Sequence, residues 1–270
     1  MEPCIIFLGT GGDSIVVGKQ LRGSGGIVLQ VEDYQFHLDP GPGALVRALQ
    51  FDVNIRENTV VLVSHAHTNH CNDVNAVLSA MSYNGIDIKG VLVANHTLVN
   101  GDEKEPAFLT QYHRNMVERI IVAREGHKIG VENIEIHALK AHHTDPHCIG
   151  FRFFTPNFVM SYSSDTTYSS EIAEQFEKSD ILILNNVHPF GSKSKDNLCS
   201  DDIVKIVSKV KPRLTIITHF GSKMLQADPI QEAREIQKQS GSQVIAAKDG
   251  LSVNPLSYAE SVRQRTLNLY

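Results

Sequence analysis

Short apolar segments, bounded by glycine, proline or acidic residues, recur along the whole chain. Continuous runs of valine, isoleucine and leucine are typical of β-strands that are buried on both faces. One adjacent pair of segments, with Glu32 and Asp33 between them, predicts a β-hairpin. In chain order, the predicted strands are residues 4–8, 25–31, 34–38, 60–63, 91–93, 134–139, 149–154, 158–162, 181–184, 214–217 and 244–247.

Between these strands, apolar residues recur at the three- and four-residue spacing of amphipathic helices. The predicted helices lie near 45–49, from an N-cap at Asn72 to Gly85, over Phe108–Arg124, near 170–176, from an N-cap at Ser200 to before Pro212, and from Asp228 to Gly241. No linker, low-complexity segment or fixed-period repeat divides the chain. We therefore expect one domain over residues 1–270, with two sheets face to face and helices outside.

The composition narrows the class of protein. Apolar residues make up 41% and charged residues 20% of the 270 residues, which is typical of a globular protein. The formal net charge is −5 and no dense run of lysine and arginine occurs, which argues against tight binding to a phosphate backbone. The cysteines form no C-x-x-C pair, so we expect reduced thiols in the cytoplasm. Neither a signal peptide nor a bilayer-spanning apolar run is evident, so we expect no membrane partner.

Three histidines directly follow the predicted strand 60–63. In the segment Ser64-His-Ala-His-Thr-Asn-His70 they stand at positions i, i+2 and i+5. His65 and His67 project to the same side of an extended segment, and a turn can bring His70 towards them. Neutral imidazoles at this spacing suit a borderline metal ion such as zinc. The segment therefore predicts a metal site.

This segment resembles the H-x-H-x-D-H motif of the metallo-β-lactamase superfamily, in which a separate His, an Asp and a final His follow at later strand ends. The same order occurs here: residues 138–150 supply the histidine, 161–167 the aspartate and 215–221 the final histidine. Residues 7–12 and 38–43 are also similar to this family. The resemblance covers nearly the whole chain. It implies an α/β fold, a four-layer αββα sandwich of two mixed β-sheets flanked by helices.

The resemblance also implies two metal ions bridged by an aspartate. For the first ion, His143 is preferred over His142, because its spacing to Gly150 is similar to that in the ribonuclease Z-like branch. The implied cofactor is Zn2+, one or two ions per chain, with Mn2+ or Fe2+ as alternatives. The implied ligands are His65, His67 and His143 for the first ion, His70, His219 and the residue at position 69 for the second, and Asp165 between them.

Position 69 departs from the motif, because Asn69 stands where the family usually has aspartate. A neutral amide oxygen coordinates more weakly than a carboxylate, and one negative charge fewer opposes the two metal ions. The substitution also removes a candidate proton acceptor beside the metal-bound water. We therefore expect an intact first site, a weakened second site, and hydrolysis that is slow, uses one metal or is lost.

Other features narrow the subfamily. Ribonuclease Z proteins carry a His-Glu pair after an apolar strand, and the corresponding segment Asp180–His188 lacks it. His188 lies nearby. Two interpretations of this residue are open: it contacts substrate, or it is an ordinary surface histidine. The interval from His143 to Asp165 is too short for the insertion that grips tRNA in that family, so tRNA is not the expected substrate. His67 stands where flavodiiron proteins have Glu, which argues against iron-based oxygen reduction. Antibiotic-hydrolysing relatives usually lack the bridging Asp, which argues against a drug-degrading role.

The leading interpretation is a metallohydrolase that directs a metal-bound hydroxide at a phosphodiester or another ester, with Asp165 and His188 as catalytic candidates. A lactone or thioester hydrolase is an alternative, because one scaffold serves several reactions. An inactive or weakened metal- or ligand-binding relative is the alternative from another class, and a nucleic-acid-binding factor is a third. We expect a small-molecule or nucleotide-like substrate, and a homodimer is compatible with the sequence.

Overall fold

Two β-sheets lie face to face in the computed structural model, which describes residues 2–103, 105–192 and 194–259. The single-domain prediction for residues 1–270 extends over residues outside these ranges. Within them, the strands are β1 (Cys4–Phe7), β2 (Ile27–Val31), β3 (Tyr34–Leu38), β4 (Asn58–Val63), β5 (Val91–Ala94), β6 (Arg119–Val122), β7 (Lys128–Val131), β8 (Ile134–Lys140), β9 (Ile149–Phe154), β10 (Val159–Tyr162), β11 (Ile181–His188), β12 (Leu198–Cys199), β13 (Leu214–Thr218), β14 (Val244–Ala246) and β15 (Ser252–Val253).

Helices cover the outer faces of the sheets. In the described ranges they are α1 (Ser14–Gly18), α2 (Ala44–Gln50), α3 (Thr68–Cys71), α4 (Val74–Ser82), α5 (His96–Asn100), α6 (Ser170–Glu174), α7 (Ser200–Val210), α8 (Ser222–Ala227) and α9 (Pro229–Ser240). Turns of 3-10 helix lie at Ile55–Glu57, His113–Met116 and Pro255–Tyr258. None of the helices in these ranges is long and apolar enough to cross a membrane.

Both sheets are mixed. The first has the strand order β15-β1-β2-β3-β4-β5-β6, antiparallel from β15 to β3 and parallel from β3 to β6. The second has the order β14-β13-β11-β10-β9-β8-β7, antiparallel from β7 to β10 and parallel from β10 to β14, with β12 beside β11. The predicted fold class, two mixed sheets flanked by helices, is confirmed.

Alternating side chains along the central strands fill three apolar layers. In β4, Val60 and Leu62 pack between the two sheets, whereas Val61 and Val63 pack against α2, α4 and α5. Strand β11 alternates in the same way, between the inter-sheet core and the layer under α6, α7 and α9. Because both faces of these strands are buried, their sequences are continuous apolar runs, which is the pattern that predicts them.

The helix predicted over Phe108–Arg124 is wrong. This segment contains a loop, the 3-10 turn His113–Met116 and strand β6. The β-branched residues of β6 pair in parallel with β5, with Ile121 opposite Val93. Strand pairing along the sheet edge therefore outweighs the helical spacing of the apolar residues.

Two predicted helix caps are also wrong. Asn72 follows α3, and Asp73 precedes α4 with its carboxylate accepting hydrogen bonds from the backbone N–H groups of the α2 start. Ser200 is the first residue of α7, and Cys199 is its N-cap. Strands β7, β12 and β15 and helices α1, α3, α5 and α8 were not predicted. The other predicted strands and helices are present.

The topology places the predicted ligand loops at one edge of the sandwich. Strands β8, β10, β11 and β13 run in the same direction in the second sheet. His143, Asp165 and His219 follow the carboxyl ends of β8, β10 and β13, and His65 follows β4 of the first sheet. Residues far apart in sequence therefore meet at this edge.

Candidate metal centre

Three histidines form what we call the first subsite: His65, His67 and His143. Nε2 of His65 lies 3.1 Å from Nδ1 of His67, and Nε2 of His143 lies 3.1 Å from the same Nδ1 atom. The ligand atoms of all three lie within 4.8 Å of one another. His65 is fully buried, and the other two are partly buried. These nitrogens surround a common point.

Contacts on the outer side of the rings determine which nitrogens face the first subsite. Nδ1 of His143 lies 2.6 Å from the carbonyl oxygen of Asp196, so this nitrogen carries the proton and donates it. Nε2 of His143 then presents a lone pair to His67. Nδ1 of His65 contacts Oγ of Ser64 at 3.0 Å. Metal-binding histidines are usually held in this way through their second ring nitrogen.

The donor set of the first subsite fits a zinc-like ion. Protons alone cannot satisfy three ring nitrogens that face one another. One proton on Nδ1 of His67 serves only one of the two neighbouring Nε2 atoms, and the other lone pair stays unmatched. A divalent cation satisfies all three, and imidazole nitrogen is a preferred zinc ligand.

His70, His219 and Asp165 form the second subsite beside the first. Nε2 of His70 lies 3.2 Å from Nε2 of His219 and 3.3 Å from Oδ2 of Asp165. Nε2 of His219 lies 3.3 Å from Oδ1 of Asp165. Oδ2 of Asp165 also lies 3.9 Å from Nε2 of His65 and 3.7 Å from Nε2 of His143. Asp165 therefore stands between the two subsites, as a bridging ligand would.

The charges at this place favour a bound cation. Burial opposes a charge on His70, but the carboxylates of Asp165 and Asp39 outweigh burial and raise the pKa of His70 to about 10. Burial also opposes a charge on Asp165, but the imidazoles of His219 and His70 hold its pKa well below the usual range. Burial lowers the pKa of His65 well below its ordinary value, which keeps this ring neutral and able to bind metal.

Asn69 is the predicted ligand that does not fit a second ion. Its Nδ2 atom lies 2.9 Å from the carbonyl oxygen of Gly12 and 3.2 Å from Nε2 of His219. The amide nitrogen therefore faces the second subsite, and an amide nitrogen has no lone pair to offer a metal. The second subsite has one donor fewer than the motif implies.

Comparison with known proteins identifies the family of the chain. Residues 34–220, more than half of the chain, match the family described as a beta-lactamase superfamily domain. The chain belongs to the metallo-β-lactamase superfamily. A similar superfamily sequence is the uncharacterized protein MJ1374 of Methanocaldococcus jannaschii, which is 31% identical over 255 residues, 94% of this chain and 95% of that protein.

Solved structures share this metallo-β-lactamase fold. The fold protein YhfI from Bacillus subtilis has a TM-score of 0.78 and 17% identity, covering 94% of this chain and 99% of that chain. A diphosphatase of the PhnP family has a TM-score of 0.68 and 18% identity, covering 93% and 97%. The short form of human tRNase Z has a TM-score of 0.67 and 14% identity, covering 93% and 98%.

Two further histidines considered from the sequence lie elsewhere. His142 is exposed, its backbone N–H donates to Oγ1 of Thr166, and it lines a separate cavity of about 820 Å³. Of the two adjacent histidines, the structure thus brings His143 to the superfamily site. His188 ends β11, where burial and the nearby cation of Lys223 lower its pKa. Its contact with substrate stays a prediction.

Asp39 supports the superfamily site and was missed as a functional residue. Its carboxylate accepts hydrogen bonds from the backbone N–H of Ser64 at 2.7 Å and from the hydroxyl of Tyr162 at 2.8 Å. It also lies 2.9 Å from Nδ1 of His70. The segment 38–43 carried the signal, because it resembles the family, but no residue within it was singled out.

Asn185 and Asp145 were missed as well. Nδ2 of Asn185, within β11, donates to Oδ1 of Asp165 at 2.7 Å. Asp145 is a buried carboxylate two residues beyond His143. Neither position belongs to a sequence motif, because each forms hydrogen bonds with residues that are distant in sequence and adjacent only in the fold.

Proposed function

We propose that the chain is a metal-dependent hydrolase of a phosphodiester or a related ester. The observation that carries this proposal is the convergence of three ring nitrogens of the first subsite beside the buried carboxylate of Asp165. A divalent ion in this site supplies Lewis-acid polarisation and activates water at neutral pH. The diphosphatase among the structural neighbours favours a phosphate ester.

The residues of the chain itself orient the site. Asn185 donates to one oxygen of Asp165, which leaves the other oxygen directed at His70. Asp39 binds Nδ1 of His70, so that Nε2 of that ring points at Asp165. Ligands that are buried and hydrogen-bonded before substrate arrives need little reorganisation during the reaction.

A cavity of about 650 Å³ beside His67 supports a small-molecule or nucleotide-like substrate. Phe108 and Pro146 contribute apolar surface to its wall, and Glu103 and Glu105 contribute negative charge. Negative charge here, together with the net charge of −5, opposes a polyanion such as tRNA. We therefore propose a compact substrate.

The test is hydrolysis of bis(para-nitrophenyl) phosphate by protein loaded with Zn2+, Mn2+ or Fe2+. We expect metal-dependent turnover in the wild type and its loss in His65→Ala. The matched control is His96→Ala, which removes an exposed histidine outside the two subsites and should keep turnover. Tight metal binding without turnover of this ester, or of lactone and thioester substrates, would contradict the proposal.

A metal-binding relative without catalysis is the second candidate, and the amide of Asn69 favours it. An amide at this position supplies no proton acceptor beside the first subsite. The assay separates the two candidates. A metal-binding protein without catalysis would bind metal and turn over none of the esters, and its Asn69→Asp variant would gain turnover.

We also propose a cytoplasmic location. The four cysteines are free thiols, and three of them are buried. Free thiols persist in a reducing compartment. Cell fractionation with an antibody against the chain tests the location, and recovery in a secreted or membrane fraction would contradict it.

A further inference from the structure

The carbonyl oxygen of Gly12 determines how the Asn69 amide is oriented. A carbonyl oxygen only accepts hydrogen bonds, so the Asn69 atom that lies 2.9 Å from it must be the donor Nδ2. The reversed amide would place two acceptor oxygens against each other at that distance. The same Nδ2 atom lies 3.2 Å from Nε2 of His219. One of its protons therefore goes to the Gly12 oxygen, and the other faces Nε2 of His219, which accepts it in the tautomer that carries its proton on Nδ1.

Packing on both sides holds this arrangement. The backbone N–H of Gly12 donates to the carbonyl oxygen of Phe220 at 2.9 Å, which ties the Gly12 loop to the His219 loop. A side chain at Gly12 would overlap the carbonyl oxygen of His219, and one at Gly41 would overlap the backbone of Asn69. The backbone is therefore closely packed both where it carries the Gly12 carbonyl and where it carries the Asn69 side chain.

We propose that Asn69 is not a metal ligand and that its amide N–H closes the second subsite, so that the chain holds one metal ion, in the first subsite. The inference rests on the proposed function only for the presence of metal in the first subsite. The N–H group of Asn69 engages the lone pair of His219 that a second ion would need. His65 also lies within 4.8 Å of the donor atoms of His70 and Asp165, but its lone pair belongs to the first subsite. Of the described residues, His70 and Asp165 therefore remain as donors for a second ion, which is too few for a closed site.

This inference differs from weak coordination by the amide oxygen in one measurable way. If Oδ1 of Asn69 were a ligand, Asn69→Ala would remove a donor and weaken metal binding. If the N–H group closes the subsite, Asn69→Ala removes no ligand and leaves the metal bound as before. Asn69→Asp replaces the N–H donor with a carboxylate, which can coordinate and adds the missing negative charge.

The experiment measures zinc per chain by elemental analysis, and zinc affinity by competition with a chromophoric chelator. The proteins are the wild type, Asn69→Ala, Asn69→Asp and His67→Ala, each checked for folding by circular dichroism. We expect one tightly bound zinc in the wild type, an affinity within about threefold of it in Asn69→Ala, and a second bound zinc in Asn69→Asp.

Two zinc ions of similar affinity in the wild type would overturn the inference, and this result needs no variant. A loss of about tenfold or more in the affinity of Asn69→Ala would also overturn it, because a loss of that size shows that Asn69 binds or orients a bound metal. Failure of Asn69→Asp to gain a zinc ion overturns it as well. Undiminished zinc binding by His67→Ala would instead refute the first subsite, and with it the proposed function.

Discussion

Oδ2 of Asp145 accepts a hydrogen bond from the backbone N–H of Ala66 at 3.1 Å, between two ligands of the first subsite. The same carboxylate accepts hydrogen bonds from Nδ2 of Asn95 at 2.8 Å and from Oγ1 of Thr97 at 2.9 Å. Asp145 itself lies two residues after the third ligand, His143. One buried carboxylate therefore joins both loops of the first subsite to the start of α5.

We expect Asp145→Asn to weaken zinc binding about 10- to 100-fold, the usual effect of losing a group that orients ligands. The new NH2 group would face N–H donors in place of an acceptor, and this should cost about 1–3 kcal/mol of unfolding free energy. Chelator competition measures the first effect, and urea denaturation of the metal-free protein measures the second.

The matched control for this prediction is Asp180→Asn. Asp180 accepts a hydrogen bond from the backbone N–H of Val159 at 2.9 Å and pairs with Arg213, outside the two subsites. This variant should lose stability and keep the zinc affinity of the wild type. Equal zinc affinities in the two variants would show that Asp145 supports only folding.

The sequence revealed those parts of the site that are encoded locally. Strand β4 is a continuous apolar run because both of its faces are buried, and three ligands follow it within six residues. The final His219 and the bridging Asp165 were found because each follows a similar apolar strand in the order of the superfamily motif. Their meeting point follows from the parallel direction of these strands.

The rest depends on contacts between distant segments. Asp39 contacts His70 across 31 positions, and Asn185 contacts Asp165 across 20. Such pairs leave no periodic pattern, since each partner is an ordinary polar residue in its own segment. The orientation of the Asn69 amide likewise depends on a carbonyl group 57 positions away. The same limit explains the error at β6, whose partner strand lies in another segment.

A substitution at Gly12 should disturb the His219 loop. A Cβ atom there would overlap the carbonyl oxygen of His219, so Gly12→Ala forces one of two packed loops to move. We expect a loss of about 1–3 kcal/mol of unfolding free energy, as for other overpacked sites. Urea denaturation of the metal-free protein measures it.

Gly18→Ala is the control for this substitution. Gly18 ends α1, and a Cβ atom there meets open space. Alanine should therefore leave stability unchanged or raise it by about 0.4–1 kcal/mol, because it restricts the unfolded chain. A Gly12→Ala protein as stable as Gly18→Ala would refute close packing between the Gly12 and His219 loops.

Acid should destabilise the protein partly through His37. Burial lowers the pKa of His37 from 6.5 to about 4, and its Nε2 atom donates to the carbonyl oxygen of Gly25 at 2.8 Å. As the pH falls, the unfolded chain therefore binds a proton at His37 near pH 6.5, whereas the folded protein binds it only near pH 4. The contribution of His37 to the unfolding free energy is fully present above pH 6.5 and falls by about 3 kcal/mol as the pH drops towards 4.

The comparison that isolates this effect is His37→Gln, which keeps an N–H donor for Gly25 and does not titrate. Urea denaturation of metal-free wild type and variant between pH 7 and pH 4.5 should show the steeper loss in the wild type. Parallel curves would mean that His37 is protonated equally easily in the folded and unfolded chains.

Zinc should stabilise the protein through His143 and not through His142. Nε2 of His143 lies 3.1 Å from Nδ1 of His67 at the first subsite, whereas His142 is exposed. A ligand that binds only the folded protein adds about 2.7 kcal/mol at a free concentration about 100 times its Kd. We expect this gain in the wild type and in His142→Ala, and its loss in His143→Ala. Urea denaturation with and without zinc measures it, and a gain that survives in His143→Ala but not in His142→Ala would reverse the assignment.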